Sequence, residues 1–160
     1  MKNLRPHRLL FSFVAVLAAI LLFGGVVLAA NPHFTTASAS GPDKTGTLFV
    51  TFREAGLGNA GEIHYQASAA QVTATYACLN ASGEVVSEGT ETVGVSNDFA
   101  VSHPGQNTQT ADLSTSADSV TCPPDQTITL AAITYAGISV TDITNGVSIS
   151  VPGTFSRTFI

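Results

Sequence analysis

From Gly46 onward, apolar residues recur at every second position, and no helical period survives beyond one turn. Leu48, Val50 and Phe52 alternate with Phe49, Thr51 and Arg53. Ile63, Tyr65 and Ala67 alternate with His64 and Gln66, and Val72, Ala74, Tyr76 and Cys78 with Thr73, Thr75 and Ala77. A period of two places one set of side chains on one face of a strand, so each run reads as a strand with one buried face. The apolar phase passes from odd to even around Ala69-Ala70-Gln71. One extra residue there, a β-bulge, keeps both runs facing the core within a single long strand.

Ile128 and Leu130, followed by Ile133 and Tyr135, repeat the parity change and predict a second bulge near Ala131-Ala132. His103-Pro104-Gly105-Gln106 suits a type II turn after Phe99 and Val101, with a returning strand around 107–114. Asn145-Gly146 lies between two alternating runs and predicts a two-residue type I′ hairpin, with Val140 opposite Val151. Phe155 and Phe159 mark a last strand. Eight or nine short strands without helices imply an all-β fold. An immunoglobulin-like antiparallel β-sandwich over residues 46–160 is expected, with a small β-barrel as the alternative.

The first residues have another character. Lys2, Arg5 and Arg8 precede an uncharged, apolar stretch from Leu9 to Leu28, and Val27-Leu28-Ala29 offers small residues at a cleavage site. Residues 1–29 therefore read as a secretory signal peptide. The alternative is an uncleaved N-terminal helix that tethers the protein to a membrane. Residues 30–45 carry Pro32, Gly41, Pro42 and a Thr-Thr-Ala-Ser-Ala-Ser stretch, a composition expected of a disordered linker. Past residue 30 the basic residues are Lys44, Arg53 and Arg157. They face all eleven acids, a net charge of −8. Such a chain is a poor partner for nucleic acid or an anionic membrane surface. The expected location is secreted, with no membrane contact after cleavage and a monomeric state.

Cys78 and Cys122 are the two cysteines, and an exported domain permits them one intramolecular disulfide. No His, Cys or carboxylate set with metal-ligand spacing surrounds either thiol.

Four motifs occur together: Phe52-Arg-Glu-Ala-Gly-Leu-Gly-Asn59, Thr75-Tyr-Ala-Cys-Leu-Asn80, Cys122-Pro-Pro-Asp-Gln126 and Pro152-Gly-Thr-Phe-Ser-Arg-Thr-Phe159. In this combination the chain resembles a group of small secreted bacterial β-sandwich proteins to which no activity is attached. The resemblance spans about Gly46 to Phe159. It implies export, one disulfide and a sandwich, and it carries over no functional residue.

Candidate chemistry is sparse. Glu62 and His64 lie two residues apart on the polar phase of one strand, where a carboxylate can tune an imidazole as a general base. The plainer reading is an exposed pair on a solvated face. Ser102 and His103 are adjacent and point to opposite faces, and no Gly-x-Ser-x-Gly elbow is present. No metal or cofactor is expected. Calcium loops lack their Asp-x-Asp-x-Asp-Gly pattern, and Glu84, Glu88 and Glu91 read as a solvated edge. Tyr65, Tyr76 and Tyr135 fall on apolar phases and read as core, which leaves Phe49 as the best exposed aromatic. The loop after the first strand, with Gly56, Leu57, Gly58 and Asn59, is too long for a tight hairpin, and Leu57 looks exposed. It is the candidate binding loop. Together these observations favour an extracellular, non-enzymatic binding or structural module whose partner is a protein or glycan. The alternative is a small secreted hydrolase using Glu62 and His64.

Overall fold

The computed structural model describes residues 31–102, 108–117 and 119–160. Among these residues seven strands and no helix occur: β1 (His33–Ser40), β2 (Leu48–Ala55), β3 (Glu62–Leu79), β4 (Val85–Ser102), β5 (Thr108–Leu113), β6 (Thr127–Asp142) and β7 (Val147–Thr158). They form two antiparallel sheets, β1-β2-β5 and β4-β3-β6-β7. The architecture is the expected β-sandwich. The first, second and fifth strands face the third, sixth and seventh, as in an immunoglobulin fold. The fourth strand lies beside β3, so no strand among the described residues flanks β5 on its far side.

Alternation places the core as the sequence predicts. Leu48, Val50 and Phe52 of β2 pack on Ile63, Tyr65, Val72 and Ala74 of β3 and on Ile133, Tyr135, Ile138 and Val140 of β6, all buried. The tyrosines 65, 76 and 135 are core residues as expected. Phe52, Tyr65 and Phe99 form an aromatic cluster with centroids 5.0, 5.8 and 6.1 Å apart. The outer faces account for the many hydroxyls: Thr51–Thr110, Thr73–Thr92, Thr75–Thr90 and Ser68–Ser139 pair across strands at 3.0–3.3 Å.

Both expected bulges are present. The β3–β4 register shifts between Ala69 and Val72. The β3–β6 register shifts between Thr75 and Tyr76, where Ala131 is the extra residue of β6. A third shift, between Ala136 and Ile138 on β6, sets Gly137 against Pro152-Gly153 of β7. Bulges of this kind fuse expected short strands into longer ones, which is why there are seven and not eight or nine.

Two expectations need correction. Residues 33–40, expected as part of a disordered linker, form β1 on the open edge of β2. Phe34, Ala37 and Ala39 rest on the core, and the unpaired edge of β2 supplies hydrogen-bond partners that composition alone does not reveal. The following turn is also ordered: Asp43 Oδ1 accepts from the Thr45 and Thr47 amides at 2.8 and 3.0 Å.

The second correction concerns the hairpin at Asn145-Gly146, which is a four-residue loop and not a two-residue turn. Asp142 pairs with Val147, and Val140 with Ile149. Asp125 is the one non-glycine residue with positive φ among the described residues, so Asn145 does not adopt the type I′ conformation. Asp142 outcompetes that turn by accepting from the Asn145 amide (2.9 Å) and side-chain amide (2.6 Å). Ile143 and Thr144 instead hydrogen-bond the His64 backbone, at 2.8 and 2.9 Å. The expected Pro104-Gly105 turn lies outside the described residues.

Candidate functional site

The strand ends divide the sandwich into two poles. The β2–β3 and β6–β7 connections share one pole with the start of β1. The β1–β2, β3–β4 and β5–β6 connections share the other.

The candidate binding loop sits at the first pole and is anchored. A Cβ on Gly56 would lie 1.9 Å from the Asn31 carbonyl oxygen, and Gly56 has φ +77°, so glycine is required there. Leu57, expected exposed, is only 7% exposed and belongs to the core. Its side chain is apolar, and packing on the core is its favoured state. Gly58 and Asn59 are exposed, which leaves a narrow accessible tip.

Glu62 and His64 stand nearby. The Glu62 carboxylate lies 3.2 Å from His64 Nε2, with the side chains 53% and 61% exposed. His64 borders a depression of about 410 Å³ with Asp98, Phe99 and Ile143. Neither serine nor threonine lines that depression.

Beneath this pole lies a group the sequence does not disclose. Glu54 of β2 is buried, and so is Asp142, which stands opposite Tyr65 in the β3–β6 register. Burial pushes the Glu54 carboxyl up to about 7. The nearby Tyr65 hydroxyl opposes that rise, and Asp142 adds to it. Neither Glu54 oxygen nor the Tyr65 hydroxyl has a hydrogen bond of good geometry. Burial likewise raises the Tyr65 hydroxyl. Glu54 occupies an inward position of β2, in phase with Phe52. That parity is the signal by which it could have been found.

At the opposite pole Cys78 and Cys122 form the expected disulfide, with Cα atoms 5.6 Å apart. The bridge holds the β5–β6 connection against the sheet. Val120 rests on Gly89, where a Cβ would come within 3.0 Å of it. Further along, Ser119 Oγ donates to Glu91 Oε2 at 2.5 Å.

Glu91, expected on a solvated edge, is only 8% exposed. Ser119 and Val120 of the connection cover this part of β4, and their approach to Gly89 and Glu91 is too distant in sequence for local pattern to reveal. Glu91 Oε1 has no hydrogen-bond partner. Between β4 and this connection runs a groove of about 540 Å³, lined by Glu91, Val93, Gly94 and Val95 on one side and Ser114–Ser116 and Ser119 on the other. It opens beside β5, where the three-stranded sheet ends among the described residues. Asn97 Nδ2, donating to the Asp112 carbonyl at 3.0 Å, closes the flank beyond it.

The remaining expectations fall as follows. Phe49 is half-buried. Arg157 donates to the Pro42 carbonyl at 3.2 Å and stacks 5.4 Å from the Phe159 ring centroid, a structural role. No group of three or more metal-ligating side chains occurs among the described residues. The described residues contain no helix long and apolar enough to cross a membrane.

No protein-family model matches the chain, and neither a curated protein nor a solved structure shows significant similarity to it.

Proposed function

We propose that this protein is an exported, extracellular binding module that performs no catalysis, delivered by cleavage after residue 29. The observation that carries the reading is the groove beside β4, which Glu91 lines while one of its buried carboxylate oxygens has no partner. A buried acceptor left unpaired costs free energy that a bound donor recovers. Rigid sheets with an open flank suit recognition, and the disulfide fixes one wall of this one. The ligand in this reading is an extracellular protein or glycan.

The mature disulfide-bonded protein, immobilised and exposed to the secreted and cell-wall fractions of its host, should retain a saturable partner. Retention of nothing from any fraction overturns the reading. Intact mass of the secreted protein should correspond to a chain beginning at residue 30, and a full-length mass in the membrane fraction overturns the export proposal.

A second reading, a small hydrolase, is favoured by the 3.2 Å contact between Glu62 and His64. Turnover of an ester or glycoside panel that disappears in His64→Ala would establish it in place of the first.

A further inference from the structure

We propose that the groove beside β4 receives an extended segment of a partner protein, which adds as a strand to the free edge of β4 from Glu91 to Val95 and places a lysine or arginine against Glu91. The inference rests on the binding-module reading and names its ligand.

The edge itself is the first argument. β4 is 18 residues long and terminates its sheet. Natural edge strands are commonly blunted by lysine, proline or a covering element. β4 contains neither lysine, arginine nor proline, and the β5–β6 connection, which touches it at Gly89 and Glu91, adds no paired strand to its edge among the described strands. Its exposed large apolar residues are Val85, Val86 and Val93, and Val93 is 39% exposed beside the groove. From Glu91 to Val95 the strand runs about 13 Å, room for five extended residues.

Chemistry selects the occupant. Glu91 is more than nine-tenths buried, Ser119 satisfies one of its oxygens, and the other lacks a partner. A guanidinium or ammonium is the donor that best complements a desolvated carboxylate. Glu88 and Asp98 share the strand, and the chain past residue 30 carries a net charge of −8, so the surrounding field favours a cation. A second copy of this chain fits poorly, because its own β4 would bring three acids and no base to the pairing. A glycan fits poorly too, since no aromatic side chain lines the groove.

The probe is an end-capped nine-residue peptide alternating threonine and valine with one central lysine. Titrated into the mature disulfide-bonded protein, it should bind saturably. Three controls should each weaken binding at least tenfold: Glu91→Gln in the protein, norleucine for lysine in the peptide, and N-methylation of alternate peptide amides. Ser114→Trp, which fills the groove from its far wall, should abolish binding. The peptide controls need no protein variant, so a Glu91→Gln protein that failed to fold would leave the test intact.

Equal binding of the lysine and norleucine peptides overturns the charge pairing, and equal binding of the N-methylated peptide overturns strand addition. A concentration-dependent dimer that excludes the peptide overturns the inference in favour of a second copy. Absence of binding at millimolar peptide overturns it as well. In that case, a partner retained from host fractions leaves the binding-module reading standing, and retention of none removes both.

Discussion

A Cβ on Gly137 of β6 would lie 2.9 Å from the Cβ of Ala70 on β3, so these strands meet through a position with room for no side chain. The contact belongs to a row. Gly94 on β4, Ala70 on β3, Gly137 on β6 and Pro152-Gly153 on β7 stand side by side at the register shifts of the larger sheet. Two bulges of the larger sheet fall on this row, Ala70-Gln71 opposite Gly94 and Pro152-Gly153 opposite Gly137, and each keeps the core phase of its strand continuous.

Gly137→Ala tests that row. Gly137 has φ +65°, where a side chain costs about 1–2 kcal/mol, and the contact with Ala70 adds to it. The expected destabilisation is about 2–3 kcal/mol by urea denaturation. In an Ala70→Gly background the same substitution should cost less, because the facing methyl is gone and the two effects couple.

Glu54 should make stability fall as pH rises. Its carboxyl is raised from 4.5 to about 7, so the folded protein holds the proton more tightly than the unfolded chain. The stabilisation is complete below pH 4.5 and is lost between there and pH 7. The loss amounts to about 3 kcal/mol for a fully buried group. Urea midpoints measured from pH 4.5 to 8 should therefore decline, and Glu54→Gln should remove much of that slope and be the more stable protein at pH 8. Asp142→Asn, by removing a nearby negative charge, should shift the decline to lower pH.

Parts of the molecule were readable because they depend on local pattern. Alternation located the core, and breaks in its parity located the bulges at Ala70 and Ala131. Two cysteines allow one pairing, and Cys78 and Cys122 make it. What could not be read depends on distant neighbours. The strand at His33–Ser40 exists because β2 offers it an edge. The hairpin at Asn145 follows the buried carboxylate of Asp142, three residues away, over the preference of the Asn-Gly pair. Glu91 looks like any other edge acid until the β5–β6 connection is laid across it. Of the candidate site, the Gly58–Asn59 tip and the Glu62–His64 pair were legible, and the groove was not.

The disulfide closes a loop with a sequence separation of 44 residues, which in the chain-entropy model corresponds to about 4 kcal/mol. Replacing both cysteines with alanine should lower stability by about that amount. Hydrogen exchange should also quicken at Ser119–Thr121, because the bridge holds these residues over β4. Equal exchange in the two proteins would show that packing of Val120 on Gly89 suffices.

Tyr135 ties the two sheets together from the core. Its hydroxyl lies 2.8 Å from the Gly46 carbonyl and 3.1 Å from that of Leu113, and burial raises it to about 12. Tyr135→Phe removes the single donor that these two buried carbonyls share and should cost about 1–2 kcal/mol in thermal or urea unfolding. The fold should survive, since the ring remains.

The course of the two outermost strands has a mechanical consequence. β1 begins at the pole of the β2–β3 connection, and β7 ends at the pole of the disulfide. Tension applied between residues 33 and 158 therefore pulls along the strands, at right angles to the hydrogen bonds that hold each to its neighbour. The β1–β2 and β6–β7 ladders would be loaded in shear, with many rungs sharing the force at once, and peeling apart one rung at a time is not the path such a pull offers.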